Sequence, residues 1–393
     1  MQILVLLNFA AALQGFFLTY LIAQNKPRDN RSWVLGLLTF VLSLSLLGGV
    51  YGLSGYYKVF PHFTNVADPL FLLYGPLLFV YIYVLTHNHL PKYYFLHALP
   101  FVIYVLAFIP LYLKSGEEKI QFVEAIFLND HVPLKALLMQ VGRVIHILIY
   151  IVVSLFFVRM YQQKIKDNFS DIEKISLEQA KRLLYLFLLM LLGALVAFVL
   201  GYFLSYSFSI SNNIIGLFVG VLIYALAYST WNKQHVHLGK ANEKPSAPDL
   251  SEVKMTLAEE FDKQKGRRVF VLSEEQFHDF SKRLEQAVEQ EKLFTENEIS
   301  LAELSKKIAI QPYQLSELIS RLYGESFFDF INRHRIEEIK SRLKDPESET
   351  FSLLGIAMDC GFNSKSSFNT AFKKFTGQTP SEYRRKERLR STM

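Results

Sequence analysis

Cysteine is almost absent from this chain of 393 residues, which contains only Cys360. A single thiol excludes a framework of internal disulfides and a zinc site built from several cysteines. We therefore expect Cys360 to be a small core residue rather than a redox switch. Tryptophan is also scarce, with 2 residues, whereas 34 phenylalanines and 21 tyrosines help to raise the apolar fraction to 51%. Charge is the third deficit, because Asp, Glu, Lys and Arg are missing from most of the first 232 positions.

The uncharged runs are long enough to cross a bilayer, which takes about 20 apolar residues of helix. They are 1–25, 32–57, 69–91, 93–113 and 183–232, and a sixth, 136–158, is interrupted only by Arg143. The last run is long enough for two spans, and the polar stretch 205–213 divides it, so the sequence predicts seven transmembrane helices within residues 1–231. A soluble protein with a large helical core is the alternative, which so many runs disfavour. A cleaved signal peptide would leave six helices, but no Lys or Arg precedes the first run.

Basic residues in the loops predict the orientation, because Lys and Arg concentrate on the cytoplasmic side of a membrane. With the N-terminus outside, the inner loops 24–31, 87–93 and 159–182 hold ten Lys and Arg, and the outer loops hold four. The expectation is a multi-pass protein of the bacterial inner membrane, with the N-terminus outside and everything after residue 231 in the cytoplasm.

The chain turns polar after residue 231. Residues 232–273 are polar around Pro245 and Pro248, which is typical of a linker. Residues 274–393 carry helix-start and helix-stop signals at regular intervals: starts at Ser300, Pro312, Ser326, Ser352 and Pro380, and stops at Gly324, Gly361 and Gly377. Two pairs of short helices joined by one long helix predict two helix-turn-helix units. The predicted fold is therefore all-α: a seven-helix transmembrane bundle (1–231), a linker (232–273) and an all-α domain (274–393).

Two spaced motifs lie within the last hundred residues. The first unit contains L-A-x-x-x-x-x-I-x-x-x-P-x-x-L-S at 301–316. The second contains IAMDCGF at 356–362, followed by S-x-F-x-x-x-F-K-K-x-x-G-x-T-P-x-x-Y-R at 366–384. Together they resemble the DNA-binding domain of AraC/XylS-type transcription regulators over about a quarter of the chain. The resemblance implies a domain that binds double-stranded DNA through the second helix of each unit. The membrane half is not part of the usual family plan, which pairs this domain with a soluble sensor.

Recognition helices read base edges with exposed residues near their N-termini. In the first unit these positions are Tyr313, Gln314, Ser316 and Glu317, and in the second they are Lys365, Ser366, Asn369 and Thr370. Phosphate is the better partner for the basic residues Lys373, Lys374, Arg384 and Arg385. Gln and Asn suit adenine, Glu suits cytosine, and Lys suits guanine or phosphate. Residues 274–350 carry a net charge of −6 and residues 351–393 a net charge of +5. We therefore expect the second unit to make most of the phosphate contacts.

Ionisable residues are rare within the predicted spans. Asp68 is the only acid there and Arg143 the only deeply placed Lys or Arg, with His146 one turn further along the same helix face. Such residues usually face the interior of a bundle, because an exposed charge costs about 2.5–3.5 kcal/mol at mid-bilayer. The three residues predict either a pocket for a small anionic or polar signal or a structural ion pair.

The combination favours a membrane-bound one-component transcription regulator, in which the membrane domain senses an unknown small-molecule or envelope signal. No Walker loop, G-x-S-x-G, H-E-x-x-H or kinase motif occurs, so no enzyme activity, metal or cofactor is expected. Double-stranded DNA and the bilayer are the expected partners, and a homodimer stays open. Three alternatives remain: release of the DNA-binding domain by proteolysis, an enzyme or transporter with a regulatory DNA-binding tail, and a membrane scaffold whose helix-turn-helix binds protein.

Overall fold

The computed structural model describes residues 2–24, 29–127, 134–172, 177–204, 208–238, 272–345 and 350–391. Within these ranges the secondary structure is helical, and the β-pairing is a single isolated bridge between Phe169 and Ser300. This confirms the all-α prediction. The chain divides into two compact units. One comprises Met1–Arg159 and Leu177–Lys263, and the other comprises Met160–Ser176 and Gln264–Met393.

The first unit is built from apolar helices. In chain order the helices are α1 (Gln2–Gln24), α2 (Asn30–Leu53), α3 (Phe71–His87), α4 (Leu99–Ala107), α5 (Ile109–Tyr112), α6 (Gly116–Phe127), α7 (Leu134–Asn168), α8 (Glu178–Phe203) and α9 (Phe208–Leu238). The last nine residues of α7 belong to the second unit. Five helical stretches are long and apolar enough to cross a membrane, and two further apolar helices, Tyr94–Ala107 and Ile210–Leu226, are shorter.

The fourth predicted span differs most from the sequence-based expectation. Residues 93–113 do not form one helix but a 3₁₀ turn, Tyr94–Ala98, followed by α4 and α5. The break comes at Phe108, two residues before Pro110. Proline lacks the amide donor for an intrahelical bond, and its ring clashes with the carbonyl four residues earlier. The length of an uncharged run therefore predicts how far a segment can extend, but it does not account for a proline that divides the segment into two helices.

Two boundaries also shift. The polar stretch 205–213 was expected to separate two spans, yet α9 begins at Phe208, and Ser211 and Asn213 are buried within it. The predicted linker was expected from residue 232, yet α9 continues to Leu238. Linker residues 239–271 lie outside the described residues, and the domain boundaries stay a prediction.

The second unit contains seven described helices besides the end of α7. They are α10 (Glu274–Glu285), α11 (Leu301–Lys307), α12 (Pro312–Tyr323), α13 (Phe327–Leu343), α14 (Leu353–Asp359), α15 (Lys365–Thr376) and α16 (Pro380–Ser391). The predicted caps form as expected: Ser300 and Glu303 make a reciprocal capping box, and Ser326 and Ser352 cap α13 and α14. Two apolar cores result, one around α11 and α12 and one around α14 and α15, with α13 contributing to both.

Both helix pairs make the same turn. In the first, Ile310 N–H donates to the Ser305 carbonyl over 3.0 Å, and in the second Phe362 N–H donates to the Ala357 carbonyl over 3.0 Å. The residue before this donor has a left-handed backbone in each case, with φ of 56° at Ala309 and 95° at Gly361. Alanine is tolerated in the first turn but not in the second. A Cβ on Gly361 would lie 2.8 Å from Arg335 Nε and 2.9 Å from the Phe294 carbonyl oxygen.

Left-handed backbone strain costs an alanine about 1–2 kcal/mol. We expect Gly361→Ala to lower the free energy of unfolding of the second unit by more than this amount. The excess arises because the new methyl group must displace the buried Arg335 side chain. Gly377→Ala is the matched control, because Gly377 has a φ of 73° and nothing within 4 Å of an added Cβ. Hydrogen exchange of the two variants provides the measurement, and equal losses of protection would contradict the steric argument.

Candidate DNA interface and membrane ion pair

The recognition helix of the second unit, α15, presents a polar and basic face. Ser364 caps its N-terminus by accepting from the Ser367 amide, while Phe368 and Phe372 are buried in the core beneath. This anchoring leaves the opposite face to solvent, and all five predicted contact residues are exposed there: Lys365, Ser366, Asn369, Thr370 and Lys373. Their exposure agrees with the sequence expectation, whereas their contacts with DNA stay a prediction.

The recognition helix of the first unit, α12, differs most from expectation at Gln314. Tyr313 is 39% exposed, and Ser316 and Glu317 are half-buried. Gln314, expected to be exposed, is only 8% exposed. Its Oε1 accepts from the Gln311 amide over 3.0 Å and so satisfies a donor at the start of the helix. The expectation of an exposed Gln314 is therefore wrong, because the amide side chain serves as part of the helix cap.

Two basic residues of the second unit already have partners within the domain. Lys374 Nζ donates to Asp329 Oδ1 of α13 over 2.6 Å. Arg384 Nη1 donates to the Phe351 carbonyl over 3.0 Å. Sequence reasoning had assigned both to phosphate, but these contacts give them a role in holding α15 and α16 to the rest of the unit. Lys365 and Lys373 are the remaining exposed lysines on α15.

Cys360 lies in the core of the second helix pair and is fully buried. Burial raises the pKa of its thiol to about 11. The group therefore stays protonated at neutral pH, as the expectation of a core residue requires.

In the first unit, Asp68 and Arg143 form an ion pair through Asp68 Oδ2 and Arg143 Nη2. Tyr104 completes a triangle, because its hydroxyl donates to Asp68 Oδ2 and lies 3.3 Å from Arg143 Nη2. The Arg143 guanidinium also lies 5.6 Å from the centre of the Phe71 ring. His146 is not part of this hydrogen-bonded group: it packs edge-on against Tyr150, and neither ring nitrogen has a partner among the described residues.

Sequence reasoning missed Tyr104 because a tyrosine in an apolar run carries no signal of its partner. It also missed Lys119, which is 2% exposed. The Lys119 ammonium lies 3.1 Å from His62 Nδ1 and donates to the Tyr112 carbonyl over 2.8 Å. A lysine between two predicted spans is ordinarily solvated, so only the fold reveals that this one, on α6, is enclosed.

Comparison with known proteins identifies the carboxyl-terminal region. Residues 304–386 match a family described as a helix-turn-helix domain. These residues hold both recognition helices and the helix that joins them. The carboxyl-terminal domain is a helix-turn-helix domain of the AraC type.

Several regulators resemble this AraC-type domain. An uncharacterized HTH-type transcriptional regulator of Staphylococcus aureus (strain COL) is 37% identical over 87 residues, which are 22% of this chain and 11% of that protein. The uncharacterized transcriptional regulatory protein YesN of Bacillus subtilis (strain 168) is 35% identical over 78 residues, which are 20% of this chain and 21% of that protein. A structure of a protein of unknown function from Listeria innocua is 31% identical, covering 27% of this chain and 93% of that one, with a TM-score of 0.23. The chain thus spans about a tenth to a fifth of the two regulators' lengths.

Within the AraC-type domain we expect Gln314→Ala and Asn369→Ala to have opposite effects. Gln314→Ala removes a helix cap and lowers the free energy of unfolding by about 1 kcal/mol, with little change in base preference. Asn369→Ala leaves stability within about 0.5 kcal/mol because the side chain is exposed. It changes preference at one base pair of the bound site by about 1–3 kcal/mol. Binding selection with randomised DNA and thermal unfolding measure the two effects, and altered base preference in Gln314→Ala would contradict this assignment.

The ion pair of the first unit supplies a second expectation. Arg143→Gln or Asp68→Asn alone leaves a partly buried charge without its ion-pair partner, which lowers the free energy of unfolding of the bundle by about 2–3 kcal/mol. The double variant removes both charges and should recover at least half of that loss. Thermal unfolding in detergent measures the cycle. Additive losses in the double variant would show that the pair does not stabilise the bundle.

Proposed function

We propose that this protein is a membrane-bound one-component transcription regulator, in which an AraC-type domain binds DNA sequence-specifically under control of a signal sensed by the membrane domain. The observation that carries the proposal is the exposed polar and basic face of α15, on a second helix-turn-helix unit joined to a first one by α13. The same chain contains five helical stretches long and apolar enough to cross a membrane. No phosphorelay is required, because sensor and DNA reader share one polypeptide.

The spacing of the two units supports binding to one face of DNA. The connecting helix α13 has 17 residues and is therefore about 26 Å long. Successive major-groove segments on one face of B-DNA lie about 34 Å apart. A helix of this length, with a recognition helix adjoining each end, is compatible with two adjacent groove contacts. Residues 274–350 carry a net charge of −6 and residues 351–393 a net charge of +5, which supports a larger phosphate contribution from the second unit.

Exposed apolar side chains support membrane insertion of the first unit. The outward side chains of α7 illustrate this: Leu138, Ile149, Val152 and Phe156 are each between 57% and 61% exposed. Soluble proteins rarely expose large contiguous apolar patches, whereas lipid covers them without cost. The loop charges support an inner-membrane protein with the N-terminus outside and the AraC-type domain in the cytoplasm. Seven spans result if α9 and the broken segment from Tyr94 to Tyr112 cross along with the five long stretches.

Control by a signal requires two states of the membrane domain that bind the signal with different affinities. The triangle of Asp68, Arg143 and Tyr104 is our candidate for the responsive group, because a small polar or anionic molecule competing for Arg143 would alter packing between the helices that carry these residues. The proposal also includes an unidentified small-molecule or envelope signal and assembly of the protein into a homodimer.

We expect Lys365→Glu and Lys373→Glu each to weaken DNA binding and to lower the slope of log affinity against log salt by about 1. Each reversal removes a positive charge from the face of α15 that approaches phosphate. Lys282→Glu is the matched control, since Lys282 is exposed on α10, outside both helix-turn-helix units. Salt-titrated mobility shifts, with DNA sites enriched by the intact protein, provide the measurement. Unchanged affinity in both α15 variants would reject the proposed interface.

A further inference from the structure

The segment that follows α7 lies within the second compact unit, against the AraC-type domain. Phe169 forms an antiparallel bridge with Ser300, the residue that caps α11. Both the amide and the hydroxyl of Ser170 donate to the Ile299 carbonyl, over 3.3 Å and 2.6 Å. A stretch that the sequence places between two membrane helices is therefore bonded to the backbone at the start of the first helix-turn-helix unit.

The same segment reaches the connecting helix α13. Asn332 Nδ2 donates to the Ser170 carbonyl over 3.2 Å, and Arg335 Nη2 lies 3.4 Å from Ser170 Oγ. Ser170 and Asn332 are each 2% exposed and Arg335 is 1% exposed, so these contacts exclude water. Burial lowers the pKa of Arg335 to about 10, and its guanidinium remains charged at neutral pH. Buried polar groups need partners, and Ser170 supplies one to each of these two side chains.

A third contact reaches the second helix-turn-helix unit. Asn363 Nδ2 donates to Asp171 Oδ2 over 3.0 Å. Asn363 immediately precedes Ser364, the cap of recognition helix α15. Three consecutive residues thus touch the start of the first unit, the connecting helix and the start of the second recognition helix.

We propose that Phe169–Asp171 is an internal docking segment that holds the two helix-turn-helix units in one arrangement and so couples the membrane domain to DNA binding. The coupling rests on the proposed function, whereas the docking itself does not. Two helix-turn-helix units that must occupy two major-groove segments together bind DNA more tightly when their movement relative to each other is already restricted. Release of the segment removes one of the constraints on that arrangement and weakens binding. Because linkage is reciprocal, bound DNA in turn stabilises the docked segment.

Docking is tested without DNA by cross-linking the full-length protein in lipid nanodiscs. The paired variant Asp171→Cys with Asn363→Cys is treated with a short bismaleimide, and the two single variants are controls. The native thiol, Cys360, is fully buried and does not compete. We expect an intrachain link in the pair, identified by peptide mass spectrometry. Absence of the link, while both new thiols react with a monofunctional maleimide, would overturn the docking.

Coupling is tested by DNA affinity of the same full-length protein. Ser170→Leu adds bulk at an enclosed site and deletes the hydroxyl, and we expect at least fivefold weaker binding. Gln163→Leu is the matched control, because Gln163 is exposed on α7, ahead of the docking segment, and the DNA affinity of this variant should stay within twofold of the wild type. Asp171→Ala removes the Asn363 contact and the carboxylate charge near Arg335, and it should weaken binding about two- to threefold, which keeps the test decisive if Ser170→Leu misfolds.

The outcomes separate the two proposals. Affinity of Ser170→Leu and Asp171→Ala equal to or above that of the wild type, in folded protein, would reject the coupling. A wild-type protein that binds no DNA site would instead reject the proposed function, and cross-linking would still decide whether the segment docks.

Discussion

The carboxyl-terminal unit depends on the contacts of one buried group, the guanidinium of Arg335. Its Nε donates to the Phe294 carbonyl over 2.7 Å and its Nη2 to the Glu296 carbonyl over 2.8 Å. Its Cζ lies 5.6 Å from the centre of the Phe362 ring of the second helix-turn-helix pair. One side chain on α13 thus joins the loop before the first pair to the turn of the second. Enclosing a cation in this way is favourable only because carbonyl and hydroxyl oxygens surround it.

This arrangement explains why the two otherwise similar turns use different residues. The first turn leaves room for the methyl group of Ala309, whereas the second turn passes directly over Arg335 and requires Gly361. It also explains why Ser170 contacts the domain where it does. Arg335 and Asn332 leave hydrogen-bonding capacity at one place on α13, and Ser170 fills it. A single polar cluster therefore contacts both helix-turn-helix units and the segment after α7.

The amino-terminal unit obeys a different constraint. Its core is apolar, yet a large share of its surface is apolar as well. Water would disfavour such a surface, whereas lipid accepts it, provided that backbone groups are satisfied within helices. In lipid the Asp68, Arg143 and Tyr104 triangle would be costly unless each member were partnered, which is why their mutual contacts are central to the proposed sensing.

Much of the secondary structure of this protein could be predicted from the sequence by itself. Apolar runs predicted membrane-length helices, because length and the absence of charge are local properties. The caps at Ser300, Ser326 and Ser352 were predicted because capping involves residues three positions apart. The double helix-turn-helix followed from the spacing of such signals. What only the tertiary structure decided involves residues distant in the chain. The burial of Lys119, the bonding of Tyr104 to Asp68 and the docking of Ser170 on Arg335, 165 positions away, have no local signature. The capping role of Gln314 is the intermediate case: its spacing from Gln311 was visible, but the choice between cap and DNA depended on burial against the core.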